Sequence, residues 1–131
     1  MEILFLCKSN VTRSQMAEAF FNKLSKKHKA KSAALAYNIN YIDKRVLRAM
    51  REIDFDISNK KPKKVTKEMI DHADQVIIMS HDLEQLYNWD KKPVIWNVED
   101  VFEENGQIPY EQFTNRRDRI KKKVEKLDRN S

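Results

Sequence analysis

A cysteine and an arginine stand close together near the start of the chain. Five residues separate Cys7 from Arg13, and Ser14 follows the arginine directly. A thiolate is a strong nucleophile, and a guanidinium offers a planar pair of donors to two oxygens of a phosphoryl group. The spacing therefore predicts a loop in which Cys7 attacks a tetrahedral oxyanion while Arg13 holds it.

The elements on either side of this loop suit an anion site. Residues 2–6 form a continuous apolar run, typical of a buried strand, and a helical period begins at Ser14. The N–H groups of such a strand–loop–helix turn point at one anion, which lies at the positive end of the helix dipole. We therefore expect Cys7 to be a thiolate that accepts a hydrogen bond from Ser14. Asn10 tolerates the left-handed backbone that such a loop needs.

A single cysteine also has a simpler explanation, as a small buried hydrophobic residue. The placement of Cys7 after a strand, with a helix and a hydroxyl directly beyond Arg13, favours the anion-binding loop. Since Cys7 is the only cysteine, no internal disulfide can form, and a free thiol is typical of a reducing cytoplasm.

The remaining periodicity predicts one α/β domain over residues 1–131 with a parallel sheet. Strands are expected at 2–6, 31–35, 75–79 and 94–96. Helices are expected from Ser14 to near His28, after an N-cap at Asp43, after Thr66 and from Pro109, with a helical piece at 83–86. Ligands of such sheets bind beyond the carboxyl ends of the strands, which is where Cys7 falls.

Composition excludes several classes of protein. The chain of 131 residues is 40% hydrophobic and 35% charged, and its apolar residues come in periodic blocks, unlike those of a disordered chain. No apolar run approaches the roughly 20 residues of a membrane span. The N-terminus lacks the basic region and cleavage site of a signal peptide. We expect a cytoplasmic protein without membrane partners.

Charge and histidine content predict neither a nucleic-acid partner nor a metal. The net charge is +6, with basic clusters at 23–31, 60–67 and 116–126. Solvated surfaces explain such runs better than nucleic-acid binding does, and Asp118 and Glu125 interrupt the third cluster. The three histidines have no Cys or Asp partners at metal-ligand spacing.

The segment from Cys7 to Glu18 resembles the signature of the low-molecular-weight protein tyrosine phosphatase superfamily, which also contains the thioredoxin-coupled arsenate reductases. Similar segments follow at Ser32-Ala33, 54–59, 76–79 and 96–100, so that the resemblance covers nearly the whole chain. It implies a four-stranded parallel sheet flanked by helices, in flavodoxin-like layers.

The resemblance also implies residue roles. Cys7 would be the nucleophile, Arg13 the phosphoryl clamp and Asp100 the general acid and base, with Glu99 as the alternative acid. A phosphocysteine would form and then be hydrolysed, without a metal or other cofactor. The phosphate-binding loop would comprise Lys8, Ser9, Asn10, Val11, Thr12, Arg13 and Ser14.

The chain departs from the family pattern at several positions. Ser9 replaces the usual glycine, Thr12 replaces a second cysteine, and Val101 replaces the proline after the acid. The reductase branch needs further cysteines after the third strand, and Ser80 lies in the expected position of the first. One cysteine cannot carry an internal thiol relay.

This chemistry favours a phosphatase, although segment 54–59 is similar to the reductases. The expected substrates are phosphotyrosine proteins or small aryl phosphates, with phosphate, vanadate or arsenate as inhibitors. Tyr37, Tyr41 and Phe102 lie in loops that could flank the pocket, although packing alone would also explain each of them.

Two other functions remain open. One is an arsenate reductase-like enzyme that uses external thiols. The other is a non-catalytic module that binds phosphate or nucleic acid. The module is disfavoured because binding alone needs neither a thiolate nor an acid.

Overall fold

The computed structural model describes residues 1–37 and 39–130. Its sheet has four parallel strands in the order β2-β1-β3-β4, which confirms the predicted α/β fold. The strands are β1 (Glu2–Cys7), β2 (Lys29–Ala34), β3 (Gln75–Ile78) and β4 (Val94–Ile95). The helices are α1 (Arg13–Leu24), α2 (Lys44–Arg51), α3 (Lys67–His72) and α4 (Tyr110–Arg129), with a 3-10 helix at His81–Leu86.

β1 is an inner strand because its apolar residues need cover on both faces of the sheet. The side chains from Ile3 to Cys7 are all buried. Phe5 contacts Phe21 of α1 edge-on, with ring centroids 6.2 Å apart, and it contacts Trp96 at 5.4 Å. Burial of one such aromatic side chain contributes about 1.5–3 kcal/mol to stability.

The strand register brings the carboxyl ends of three strands to one edge of the sheet. Cys7 pairs with Ala34 of β2, and Leu6 pairs with Ile78 of β3. The chain after β4 continues beside the end of β3 in the same direction, since the N–H of Val98 donates to the carbonyl of Met79 at 2.9 Å. The loops that follow β1, β3 and β4 therefore meet beside Cys7.

Two helix boundaries follow local hydrogen bonds. The N-cap predicted at Asp43 is confirmed, because its carboxylate accepts from the N–H of Arg45 at 2.8 Å. α1 ends at Leu24, so the prediction of an end near His28 was wrong. Ser25 has an extended backbone, and its hydroxyl accepts from the N–H of His28 at 3.1 Å, which starts a turn instead.

α4 is an amphipathic surface helix of 20 residues. Phe113, Ile120 and Val124 are buried, and Gln112 and Arg116 lie buried with them. In residues 1–37 and 39–130, no helix combines the length and the apolar character that crossing a bilayer requires.

Candidate active site

The loop between β1 and α1 folds back over the cysteine sulfur. Asn10 has a φ of 58°, in the left-handed region, and its N–H donates to Cys7 Sγ at 3.2 Å. Asparagine adopts this conformation more easily than most residues do. Ser9 is not among the residues with positive φ, so a serine fits where the family usually has glycine.

The side-chain amide of Asn10 is buried and has four partners. Its Nδ2 donates to Ser14 Oγ at 2.7 Å and to Ser32 Oγ at 2.9 Å. Its Oδ1 accepts from Gln15 Nε2 and from the backbone N–H of Lys63, each at 3.0 Å. An amide has two donor hydrogens and two acceptor lone pairs, so its capacity is fully used. The backbone N–H can only donate, which fixes the orientation of the amide.

Two donors face the sulfur of Cys7, a residue that is only 3% exposed. One is the N–H of Asn10, and the other is the hydroxyl of Ser14, with Oγ 2.9 Å from Sγ. Because the Asn10 amide already donates to this oxygen, the hydroxyl proton is free to point at the sulfur. Hydrogen bonds to the charged form of a group stabilise that form.

The network continues from Asn10 to a buried carboxylate. Ser32 Oγ donates to Glu18 Oε1 at 2.9 Å, and Lys60 Nζ lies 3.5 Å from Glu18 Oε2. A buried carboxylate requires such partners. Hydrogen bonds and one ion pair thus connect β2, α1 and segment 60–63 to the loop that holds Cys7.

Arg13 joins the loop to the ends of β3 and β4. Its buried guanidinium donates through Nη1 to the carbonyl of Val98 at 3.0 Å and to Ser80 Oγ at 3.2 Å. Its Nη2 lies 3.6 Å from Asp100 Oδ2. Arg13 and Asp100, which are 87 positions apart in the chain, are therefore in contact.

Glu99 and Asp100 turn to different partners. Asp100 faces Arg13 with 46% of its side chain exposed, whereas Glu99 Oε1 lies 3.5 Å from Arg116 Nη2 with 66% exposed. The N–H of Val101 donates to Asp100 Oδ1 at 2.8 Å, a bond that a proline at this position could not make. A small pocket is lined by Cys7, Ser9, Val11, Thr12, Arg13 and Asp100.

Of the three aromatic residues considered for the pocket, Tyr37 contacts the loop, through Lys8. Lys8 Nζ lies 5.3 Å from the ring centroid of Tyr37, and the N–H of Tyr37 donates to the carbonyl of Lys8 at 3.2 Å. Phe102 is half exposed, two residues beyond Asp100. Tyr41 is more exposed than either.

Two charged residues at the site were not predicted from the sequence. A hydrogen bond with Ser80 holds the pKa of Asp82 below its usual value, against the effect of burial, and the charges of Arg13 and Lys8 act in the same direction as the hydrogen bond. Asp82 comes just after a predicted strand, where ligands of α/β sheets bind, which was a usable signal.

The second missed residue is Arg116. Burial lowers the pKa of Arg116, and the Glu99 carboxylate opposes this shift. Its Nε and Nη2 donate to the carbonyls of Glu99 and Asp100, each at 3.0 Å. Its signal was a cation within the apolar stripe of a helix, between Phe113 and Ile120.

Residues 2–130 match the family of low molecular weight phosphotyrosine protein phosphatases. The chain belongs to this family, as the resemblance predicted.

Known relatives and structures agree with this family. An arsenate reductase of Oceanobacillus iheyensis is 37% identical over 82 residues, which are 61% of this chain and 57%, less than two thirds, of that protein. Arsenate reductase 1 of Staphylococcus saprophyticus is 30% identical over 130 residues, 95% of this chain and 94% of that protein. A low molecular weight protein tyrosine phosphatase from T. tengcongensis has the same fold, with a TM-score of 0.84 at 24% identity, over 100% of this chain and 99% of that one.

Replacement of Asn10 tests the network around Cys7. Asn10→Gly permits the backbone conformation but removes all four side-chain hydrogen bonds, so we expect a loss of about 2–4 kcal/mol in the free energy of unfolding. We also expect slower alkylation of Cys7 by iodoacetamide at neutral pH, because Ser14 is no longer oriented. Asn10→Ala should lose about 1 kcal/mol more, the cost of a left-handed alanine. Urea unfolding and alkylation kinetics measure both effects. A glycine variant as stable and as reactive as the wild type would contradict this account.

Proposed function

We propose that this chain hydrolyses phosphomonoesters through Cys7, with phosphotyrosine proteins or small aryl phosphates as substrates. The observation that carries the proposal is the convergence of Cys7, Arg13 and Asp100 on one pocket. These residues supply a nucleophile, a cation for the phosphoryl oxygens and a carboxyl for the leaving group. Membership of the phosphatase family supports the same class of chemistry.

The first step transfers the phosphoryl group to the sulfur. The backbone N–H groups of residues 8–13 and the guanidinium of Arg13 hold the phosphoryl oxygens. The Cys7 thiolate attacks phosphorus, and the bond from phosphorus to the leaving oxygen breaks. Asp100, in its carboxylic form, donates its proton to that oxygen, so the alcohol departs neutral and a phosphocysteine remains.

The second step hydrolyses the phosphocysteine. The Asp100 carboxylate takes a proton from a water molecule while the water oxygen attacks phosphorus. The bond from sulfur to phosphorus breaks, and its electron pair returns to Cys7. The hydroxyl of Ser14 and the N–H of Asn10 stabilise the returning thiolate, as their distances of 2.9 and 3.2 Å from the sulfur support. Inorganic phosphate leaves, and no cofactor enters this balance.

We choose Asp100 over Glu99 as the acid because the two carboxylates point to different parts of the structure. The carboxylate of Asp100 lines the pocket with Cys7. The carboxylate of Glu99 pairs with Arg116, a residue of α4. A general acid must come within hydrogen-bond reach of the leaving oxygen, and Asp100 is on the side of the loop where that oxygen would lie.

Support for an aryl substrate comes from Tyr37, which lies beside Lys8 of the phosphate-binding loop. About half of its surface is exposed, and a phenyl ring could stack on such a side chain. Phosphate, vanadate and arsenate are tetrahedral anions that fit the same cradle. We therefore expect them to compete with the substrate.

Replacement of the acid tests the proposal. Asp100→Asn should lower kcat for phosphotyrosine by about 10²–10⁴, because the tyrosine oxygen is a poor leaving group without a proton. The loss should be smaller for p-nitrophenyl phosphate, because nitrophenolate departs with little protonation. Glu99→Gln is the matched control and should cost little with either substrate. Steady-state assays of both variants decide between the two carboxylates. A larger loss of kcat in Glu99→Gln would make Glu99 the general acid instead of Asp100.

Reduction of arsenate is the second candidate, and the arsenate reductases among the relatives favour it. Reduction of arsenate to arsenite takes two electrons, which two thiols supply as they form a disulfide. Cys7 is the only cysteine of the chain, and Ser80 lies beside Arg13 where the reductases would place another thiol. The second thiol would have to come from another molecule.

Arsenate itself separates the two candidates. We expect it to inhibit hydrolysis of p-nitrophenyl phosphate competitively, and we expect thioredoxin with its reductase and NADPH to produce no arsenite above a control without this protein. NADPH consumption and arsenite formation are the measurements. Thioredoxin-dependent arsenite production at a rate comparable to phosphatase turnover would make the chain a reductase.

A further inference from the structure

Among the charged residues of α4 (Tyr110–Arg129), Arg116 is the one that is buried. Its side chain is only 5% exposed, and it lies in the apolar stripe between Phe113 and Ile120. Removing a charge from water costs several kcal/mol unless hydrogen bonds satisfy its donors. The hydrogen-bond partners of Arg116 therefore indicate which part of the structure this charge stabilises.

Those partners are mainly the backbone of the loop that carries Asp100. Nε donates to the carbonyl of Glu99 and Nη2 to the carbonyl of Asp100, each at 3.0 Å. The Glu99 carboxylate approaches Nη2 at 3.5 Å, and Nη1 donates to Asn115 Oδ1 at 2.9 Å. Two successive carbonyls bound to one rigid fork fix the peptide group between them. Glu99 stays with Arg116, and the Asp100 side chain is directed to Arg13.

Other residues of α4 bind the loop on either side of Glu99 and Asp100. Gln112 pairs with the backbone of Phe102 in both directions, accepting from its N–H at 2.8 Å and donating to its carbonyl at 3.0 Å. Arg119 donates to the carbonyl of Asn97 at 2.7 Å. α4 in turn packs against α1, the helix that begins at Arg13. One helix thus sets the distance between the acid loop and the phosphoryl clamp.

We propose that Arg116 is a positioning residue for the general acid, holding the backbone of Asp100 so that its carboxyl faces the leaving oxygen. This inference rests on the proposed function and on the acid role of Asp100. Arg116 acts through the loop and takes no part in the bond changes. An arginine suits the task because its planar fork matches two carbonyls, whereas a lysine offers a single point of donation.

The test compares two leaving groups in two backgrounds. Arg116→Gln should lower kcat/KM for phosphotyrosine by about 10–100-fold, the cost of an acid displaced by about 1 Å. The loss should be several times smaller for p-nitrophenyl phosphate, and inhibition by phosphate should be unchanged, since Cys7 and Arg13 are untouched. In the Asp100→Asn background, Arg116→Gln should cost nothing more, because residues that act as a unit are not additive.

Arg117→Gln is the matched control. Arg117 follows Arg116 on the same helix with 11% of its side chain exposed, but its Nη1 donates to the carbonyl of Ala49 in α2 at 2.8 Å. We expect this variant to lose stability while the ratio of the two kcat/KM values stays that of the wild type. Arg116→Lys keeps the charge and should recover part of the ratio that Arg116→Gln loses.

The outcomes separate the positioning role of Arg116 from the proposed phosphatase function. Equal losses with both substrates, or a further loss in the double variant, would reduce Arg116 to a purely structural role and leave the phosphatase intact. If Asp100→Asn itself shows no dependence on the leaving group, the acid assignment and the role of Arg116 fail together. Should Arg116→Gln fail to fold, Arg116→Lys decides through the same ratio and the same double variant.

Discussion

Asn10 combines a left-handed backbone with a buried amide whose two donors and two acceptors are all paired. The backbone conformation turns the chain so that its N–H reaches Cys7 Sγ, and the side chain orients the hydroxyl of Ser14 toward the same atom. A buried unpaired amide would cost about 1–3 kcal/mol for each lost partner. The loop therefore keeps its shape because the alternative leaves polar groups unsatisfied.

Asp100 is brought to Cys7 by a different constraint, the parallel sheet. β1, β3 and β4 end at one edge, so the residues after each strand meet although they are far apart in sequence. Arg13 connects the segments that follow these strands, because from the first turn of α1 it contacts Ser80, Val98 and Asp100. Arg116 binds the same region from α4, through the carbonyls of Glu99 and Asp100. Cys7, the last residue of β1, is surrounded by a short local loop, whereas the position of Asp100 depends on contacts between distant elements.

The same division explains what could be predicted from the sequence. The apolar run 2–6, the period that follows Ser14 and the cap at Asp43 are local signals, and the structure contains all three elements. The end of α1 was misplaced because a turn formed by Ser25 ends it. The position of Arg116 in the apolar stripe of α4 was a signal, but its role was not predicted because its main partners are backbone carbonyls, which have no sequence signature. The partner that fixes the Asn10 amide, the N–H of Lys63, is hidden for the same reason.

Whether Cys7 carries the phosphoryl group during turnover can be measured directly. Asp100 is proposed to activate the water that hydrolyses the phosphocysteine. The Asp100→Asn variant should therefore accumulate this intermediate when it is mixed with p-nitrophenyl phosphate and quenched rapidly in denaturant. Mass spectrometry of the digested protein should find one added phosphate on the peptide that contains Cys7, and none in the Cys7→Ala variant. Turnover without a phosphate on Cys7, or a phosphate on another residue, would contradict the account.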